Sequence, residues 1–311
     1  MRHIAISLLL ILGFSSLLQA KDILPAPEKI AAHSYAWIGP LPGPSVENQG
    51  YRMNLGFVVG SKGIVVIDTG YTEAMATEML AHIRKISKAP IVAAINTNSQ
   101  PHRFFGNNIF KKAGAKIIST AKEKQRMAGS IAQYTSAIER ILKLKQATVA
   151  TPALPDTLID KPTTINLGDV SITLESHGAS HTPQSLVVHV AKDNLVFTGD
   201  VLYGGRLLAV LPDSNVKQWI ASFNALKKYG KAKLIPGHGQ PGYLNDFTFS
   251  TLDYLTLLQG HMTKSIDADM ETQDAINTLN QTAYRKLVNF EQLAGRNASW
   301  AYLEAEKAAF E

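Results

Sequence analysis

A chain of 311 residues, 45% hydrophobic and 18% charged, has enough apolar material for one sizeable core and too strong a pattern for disorder. Its formal charge of +6 is spread over short clusters, at Lys111-Lys112, Lys122 to Arg126 and Lys227-Lys228. These read as solvated helix faces, and no aromatic-interleaved basic patch argues for nucleic acid. With no cysteine, a disulfide framework, a thiol nucleophile and a Cys-ligated zinc are all excluded.

Residues 1–20 read as a cleavable signal peptide. Arg2 and His3 give a positive start, Ile4 to Leu18 a short apolar run broken by Gly13 and two serines, and Leu18-Gln19-Ala20 a cleavage site before Lys21. The run is too short and interrupted to span a bilayer comfortably, so a periplasmic or secreted protein with no stable membrane anchor is expected. The mature chain then reads as one domain, residues 21–311, with a helical extension over 246–311.

The predicted elements follow in order. His33 to Ile38 is a first strand, and Pro40 to Gly50 a polar hairpin loop expected to overhang the site. Tyr51 to Val59 and Gly63 to Asp68 are strands. Thr72 opens a helix to about Ser87, with Met75, Met79, Leu80, Ile83 and Ile86 on one face. Ile91 to Ile95 is almost wholly apolar, the mark of a central strand. Phe104 to Lys112 is helical, Ala115 to Ile118 a strand, and Ala121 to Gln146 a polar-faced helix. After a Pro-rich crossing at Thr151 to Pro162, strands recur at Thr164 to Asn166, Val170 to Ser176, Leu186 to Val190 and Leu195 to Thr198. A helix at Asn215 to Tyr229, a strand at Lys233 to Ile235 and helical sequence from Asp246 complete the chain. Strands and helices, a crossing, then strands and helices again predict an α/β fold in which two sheets bury one face against each other and helices cover the outer faces.

The chemistry-bearing residues fall in loops at strand ends. They are Asp68-Thr69-Gly70; the run Asn98, Gln100, His102, Arg103 and on to Phe105-Gly106-Asn107; His177 and His181 in Ser176 to Pro183; Gly199-Asp200; and Pro236-Gly237-His238-Gly239. Asp68 beside Gly70 suits an Asx turn as well as a bracing role. His238 between two glycines has little structural reason to be there, which favours a ligand. His181 could cap a turn with Thr182-Pro183. His33, His82, His189 and His261 sit inside predicted elements and read as packing or surface residues.

In order and spacing these five motifs resemble the metallo-β-lactamase superfamily, whose fold is a four-layer αβ/βα sandwich. Within it, Gly199-Asp200, Gly204-Gly205-Arg206, Trp219 and Pro236 to Gly239 are most similar to periplasmic zinc metallohydrolases found near sulfur-oxidation or quinoprotein genes. The family's His-x-His-x-Asp-His motif aligns with Asn98, Gln100, His102 and Arg103, so the first metal motif is degenerate. The resemblance leaves His181, Asp200 and His238 as family ligands, with His102 where the family has Asp. It implies one zinc ion on His102, Asp200 and His238 with His181 nearby, or none. Asp68, Asn98 and Gln100 then support the site or are its remnants. A single-zinc group of β-lactamases also carries Asn first and Arg last in this motif.

Three functions follow for a small-molecule substrate. The first is a single-zinc hydrolase of an ester, thioester or lactam carbonyl, with Asp200 and Arg103 in catalytic roles and Arg103 holding an anionic substrate or oxyanion. The second is a metal-free binding protein that kept the fold. The third is a β-lactamase.

Overall fold

The computed structural model describes residues 22–310, so the expected signal peptide lies outside the described residues. Seven strands form one sheet in sequential order: β1 (Glu28–Lys29), β2 (Ser34–Trp37), β3 (Leu55–Gly60), β4 (Gly63–Ile67), β5 (Ile91–Ile95), β6 (Lys116–Ser119) and β7 (Thr157–Leu158). Pairing is antiparallel from β1 to β4 and parallel from β4 to β7. The second sheet is built from β8 (Thr163–Asn166), β9 (Ser171–Ser176), β10 (Leu186–Val190), β11 (Leu195–Tyr203) and β12 (Lys233–His238), in the order β12-β11-β10-β9-β8. Only its β11–β12 pair is parallel.

Among the described residues, eight α-helices flank the sheets: α1 (Glu73–Ile86), α2 (Pro101–Phe104), α3 (Asn107–Lys112), α4 (Ala121–Leu142), α5 (Val216–Ala225), α6 (Tyr254–Asp267), α7 (Thr272–Thr278) and α8 (Phe290–Ala309). Strand alternation sorts the side chains into layers. On β4, Val65 and Ile67 join Ile95, Ile172, Leu174, Val188 and Phe197 in the core between the sheets. Ile64 and Val66 point the other way, onto Met75, Met79, Ile83, Phe110, Met127 and Ile138 of α1, α3 and α4. On the far side, α5 to α8 bury Trp219, Phe223, Tyr254, Leu258 and Tyr302 against Val187, Val196 and Leu202. The result is the expected helix–sheet–sheet–helix sandwich with C-terminal helices, and 246–310 share a core with the second sheet. No helix among the described residues is long and apolar enough to cross a membrane.

Most elements lie within a residue or two of their predicted limits. Thr72 caps α1, its hydroxyl accepting from the Met75 amide at 3.2 Å, and β5 runs between β4 and β6 as its composition requires. Of the predicted helix face, Met75, Met79 and Ile83 are buried and Ile86 is exposed.

Three departures all serve the site. In place of the predicted 104–112 helix there are two, Pro101–Phe104 and Asn107–Lys112, and the break falls at Gly106, where the Thr69 carbonyl and Ala76 come too close for any Cβ. Strand β3 begins four residues late, since 51–54 bond across to the end of β12 instead of along the ladder. The Asn54 amide donates to Gly237 O at 2.9 Å, and its side chain accepts from Gly39 N and donates to Pro236 O and Gly239 O. Strand β11 does not stop at Thr198 but continues through Asp200 to Tyr203, with register shifts at Gly199 against β12. Gly199 has φ +50°, and its missing side chain makes room for Thr97. The irregularity delivers Asp200 and His238 side by side at one end of the sandwich.

Candidate metal centre

Arg103 lies at the centre of the site and is fully buried. Its Nε and Nη2 fork onto Asp200, at 3.2 Å to Oδ2 and 2.5 Å to Oδ1. Nη1 donates to Asp68 Oδ2 at 3.0 Å and to Asn54 O at 2.9 Å, and Nη2 also donates to Gly237 O at 3.1 Å. A guanidinium has five N–H donors, and all five are used. Arg103 therefore has no donor for a substrate, and the expectation that it holds an anion or oxyanion is corrected. It is a structural cation shared by two buried carboxylates.

Asp68 follows β4 with φ +59°. It accepts from the Thr97 amide at 2.8 Å and from the Thr97 hydroxyl, and it receives Arg103. It thus makes the local turn and also braces the site through Arg103. Burial pushes its carboxyl up to about 6, although Arg103 works against that. At Asp200 burial acts in the same sense and is the largest single influence, but Arg103, His102 and His238 together outweigh it and hold the carboxyl well below the ordinary range. The Cβ position of Gly237 is filled by Asp200 and Arg103, so any side chain there would displace the pair.

His102 is the second residue of α2, just before Arg103, and its Nε2 lies 3.4 Å from Asp200 Oδ2. Neither of its ring nitrogens makes a hydrogen bond, although the ring is buried. His238 ends β12, its Nδ1 against Arg52 O at 2.8 Å and its Nε2 3.3 Å from Asp200 Oδ1. One nitrogen or oxygen from each of His102, Asp200 and His238 fits within 4.8 Å. Burial, with Arg103 added, drives His102 well down; burial, with Arg206 added, takes His238 down to about 3.

The other sequence candidates do not join this cluster. Asn98 donates from Nδ2 to Asp200 Oδ2 at 2.8 Å, so its amide is a positioning donor. Gln100 turns its amide to Tyr134 Oη. His181 sits in the loop after β9 with its ring against Trp219, 5.5 Å between centroids. Its Nδ1 meets Ala209 O at 2.8 Å, and Glu123 ties down its loop through Thr182 and the Gln184 amide. It faces the same cavity, about 430 Å³ in volume, lined by Arg52, His102, His181, Tyr203, Arg206 and His238. Gly43 and Pro44 of the 40–50 loop also line it, as the overhanging loop was expected to. Sequence reasoning gave no role to Arg52, Tyr203 or Asn54, which belong to no motif, and none to Arg206 beyond its place in Gly204-Gly205-Arg206.

These residues fit one metal cation and not two. A carbonyl accepts, so His238 Nδ1 carries the proton and its Nε2 is a lone pair. That lone pair and a carboxylate oxygen face each other at 3.3 Å, a contact that a shared cation makes favourable. His102 brings a second neutral imidazole with nothing bonded to it. Two imidazoles and a carboxylate make a good zinc donor set. A second cation has no such set, because Asn98 offers an amide engaged at both atoms and Gln100 only an amide oxygen, a poor zinc ligand.

The same burial makes the metal-free protein acid-sensitive. The folded state keeps His102, His181 and His238 neutral, whereas the unfolded chain protonates them near pH 6.5. Depressed histidine pKa values therefore give stability that is present above pH 6.5 and lost as pH falls toward 3. Asp68, raised to about 6, opposes this by taking up a proton in the folded state below that pH. Urea titrations of chelator-treated protein should show stability falling by on the order of 2 kcal/mol from pH 7.5 to 5.5. Equal stability at the two pH values would mean that these imidazoles are not held neutral.

Residues 52–238 match the metallo-β-lactamase superfamily as a sequence family. Over 209 residues the chain is 24% identical to a metallo-β-lactamase type 2 of Bacillus cereus, covering 66% of this chain and 72% of that one. Over 91 residues it is 32% identical to the acyl-coenzyme A thioesterase MBLAC2 of Gallus gallus, covering 28% of this chain and 32% of that one. Among solved structures, a metallo-β-lactamase from Pontibacter korlensis superposes with a TM-score of 0.61 at 19% identity, over 74% of this chain and 98% of the other, which speaks for the fold alone. Sandwich, site position and sequence match agree: the chain belongs to the metallo-β-lactamase superfamily of hydrolases.

Proposed function

We propose that this protein is an exported hydrolase that uses a single zinc ion, held by His102, Asp200 and His238, on an ester, thioester or lactam carbonyl. The observation that carries the reading is the pair of imidazoles turned onto Asp200, one with a lone pair facing a carboxylate oxygen and one with no hydrogen bond. A thioester ranks first among substrates because of the local likeness to an acyl-coenzyme A thioesterase. Export rests on the character of residues 1–20.

A zinc ion at this position supplies Lewis acidity and acidifies water. The protein's own residues do the rest. Arg103 and Asn98 fix both oxygens of Asp200, so the carboxylate is oriented in advance. The Arg52 carbonyl fixes the tautomer and plane of His238, and Tyr203 stacks on that ring at 5.1 Å. His181 carries its proton on Nδ1 toward Ala209 O, which leaves the Nε2 lone pair on a cavity-lining ring that burial keeps neutral. A second reading, a metal-free binding protein, is favoured by one observation: Arg103 already balances Asp68 and Asp200 without a metal.

Elemental analysis of native protein prepared without chelator, followed by assay on an acyl thioester, an aryl ester and a cephalosporin, separates these readings. The expected result is one zinc per chain and a thioesterase or esterase activity that chelation removes. No metal under saturating zinc would leave only the binding protein, and fast cephalosporin hydrolysis would favour a β-lactamase.

A further inference from the structure

Arg52 and Arg206 stand on the wall of the cavity beside the proposed metal centre. Arg206 follows β11, six residues after Asp200, and only 3% of its surface is exposed. Its Nε and Nη1 are buried with no hydrogen-bond partner, and so is the Nε of Arg52. Neither guanidinium forms an ion pair among the described residues, because both carboxylates of the site are taken by Arg103. Arg296 of α8 adds a third guanidinium to the lining.

A buried unpaired cation such as Arg206 is costly, and a second, half-buried one at Arg52 in the same cavity wall repels it as well. Burial and then the charge of Arg52 pull Arg206 down to about 10. Among the described residues, the Arg206 side chain makes no hydrogen bond or ion pair that would fasten it to the fold. An arginine kept in such a place is explained by a ligand that completes it, and a guanidinium fork is the side chain best shaped for a carboxylate or an oxyacid ester.

We propose that Arg52 and Arg206 form an anion-binding subsite, so that the natural ligand of the cavity is an organic anion with its charged group held there and its body facing His102, His181 and His238. This deepens the hydrolase reading by naming a substrate class, and it rests on that reading only for the claim that the ligand is turned over. The subsite itself needs neither metal nor catalysis.

Calorimetric titration of the full mature chain with phenylacetate, phenyl sulfate, phenyl phosphate and the uncharged phenylacetamide tests it. At least one anion should bind one to one, about tenfold or more tightly than the amide. The anion that binds best tells a carboxylate ligand from an oxyacid ester. Arg52→Met and Arg206→Met should each lose about tenfold or more in that affinity. Arg206→Met should also melt no lower than the wild type without ligand, since it removes an unpaired buried charge. Lys231→Met, remote from the cavity, is the control. If all three anions bind no better than the amide, or none binds up to about 10 mM, the subsite does not exist. Wild-type affinity in both methionine variants would overturn it equally; should one variant fail to fold, the comparison of anion with amide on the wild type still decides. Zinc-free, inactive protein that binds the anion would remove the hydrolase reading and keep the subsite, whereas active protein indifferent to all the anions would do the reverse.

Discussion

Arg103→Met should lower the free energy of unfolding by about 3–5 kcal/mol at pH 8, more than any other single change at the site. Methionine keeps the apolar stem of the side chain and removes the guanidinium, so most of the loss is electrostatic. It strands Asp68 and Asp200, which are buried and, once Arg103 is gone, face each other with no cation between them. Both carboxyls should then titrate higher in the folded state than in the unfolded one. A raised carboxyl pKa gives stability at low pH that is lost as pH rises, so the variant should regain stability between pH 8 and 6. The metal-free wild type should lose stability as pH falls through that range. Urea unfolding of both proteins at the two pH values gives the comparison. A variant as stable as the wild type at pH 8 would show that the two carboxylates do not depend on Arg103.

Rebuilding the superfamily's motif should have the largest effect on metal binding. The fourfold change Asn98→His, Gln100→His, His102→Asp and Arg103→His should raise zinc from at most one ion per chain to two. Arg103 now does electrically what a second cation would do: it sits on Asp200 and Asp68 and neutralises them. A metal brought close to it meets a repulsion of about 4 kcal/mol per unit charge at 4 Å in a half-polar site, enough to cost orders of magnitude in affinity. Removing the arginine frees both carboxylates, and the two new imidazoles replace amides that are poor zinc ligands. Metal analysis after equilibration with zinc reads the outcome. Two tightly bound ions in the unaltered protein would contradict this account of the substitutions.

The layers of the fold were legible because they follow from alternation and helical period. Val65 and Ile67 against Ile64 and Val66 is a parity that any half-buried strand must show, and Thr72 announces its helix by its own chemistry. The cluster of His102, Asp200 and His238 was legible too, since each lies in a short motif at a strand end. Arg103 was read as a substrate contact because its partners, Asp68, Asn54, Asp200 and Gly237, are 35, 49, 97 and 134 residues away. Linear spacing carries no information about such partners. The break at Gly106 was hidden for the same reason, as the carbonyl that fills its Cβ position belongs to Thr69. Arg52 and Arg206 were passed over because an isolated arginine in sequence looks like surface charge; only guanidinium nitrogens buried without a partner set them apart.

Asn54 gives the molecule a particular order of events. Its side chain and backbone fasten the end of β12, 182 to 185 residues further along the chain, to the start of β3. Closing so long a loop costs more entropy than pairing neighbouring strands, so this latch should close after both halves have formed their own ladders. Arg103 depends on the same event, because two of its five acceptors, Asn54 O and Gly237 O, are brought together by it. The charged centre should therefore be assembled late in folding. Half-folded chains carry the ligands but not the site, which keeps a growing or unfolded polypeptide from offering the finished site to stray cations.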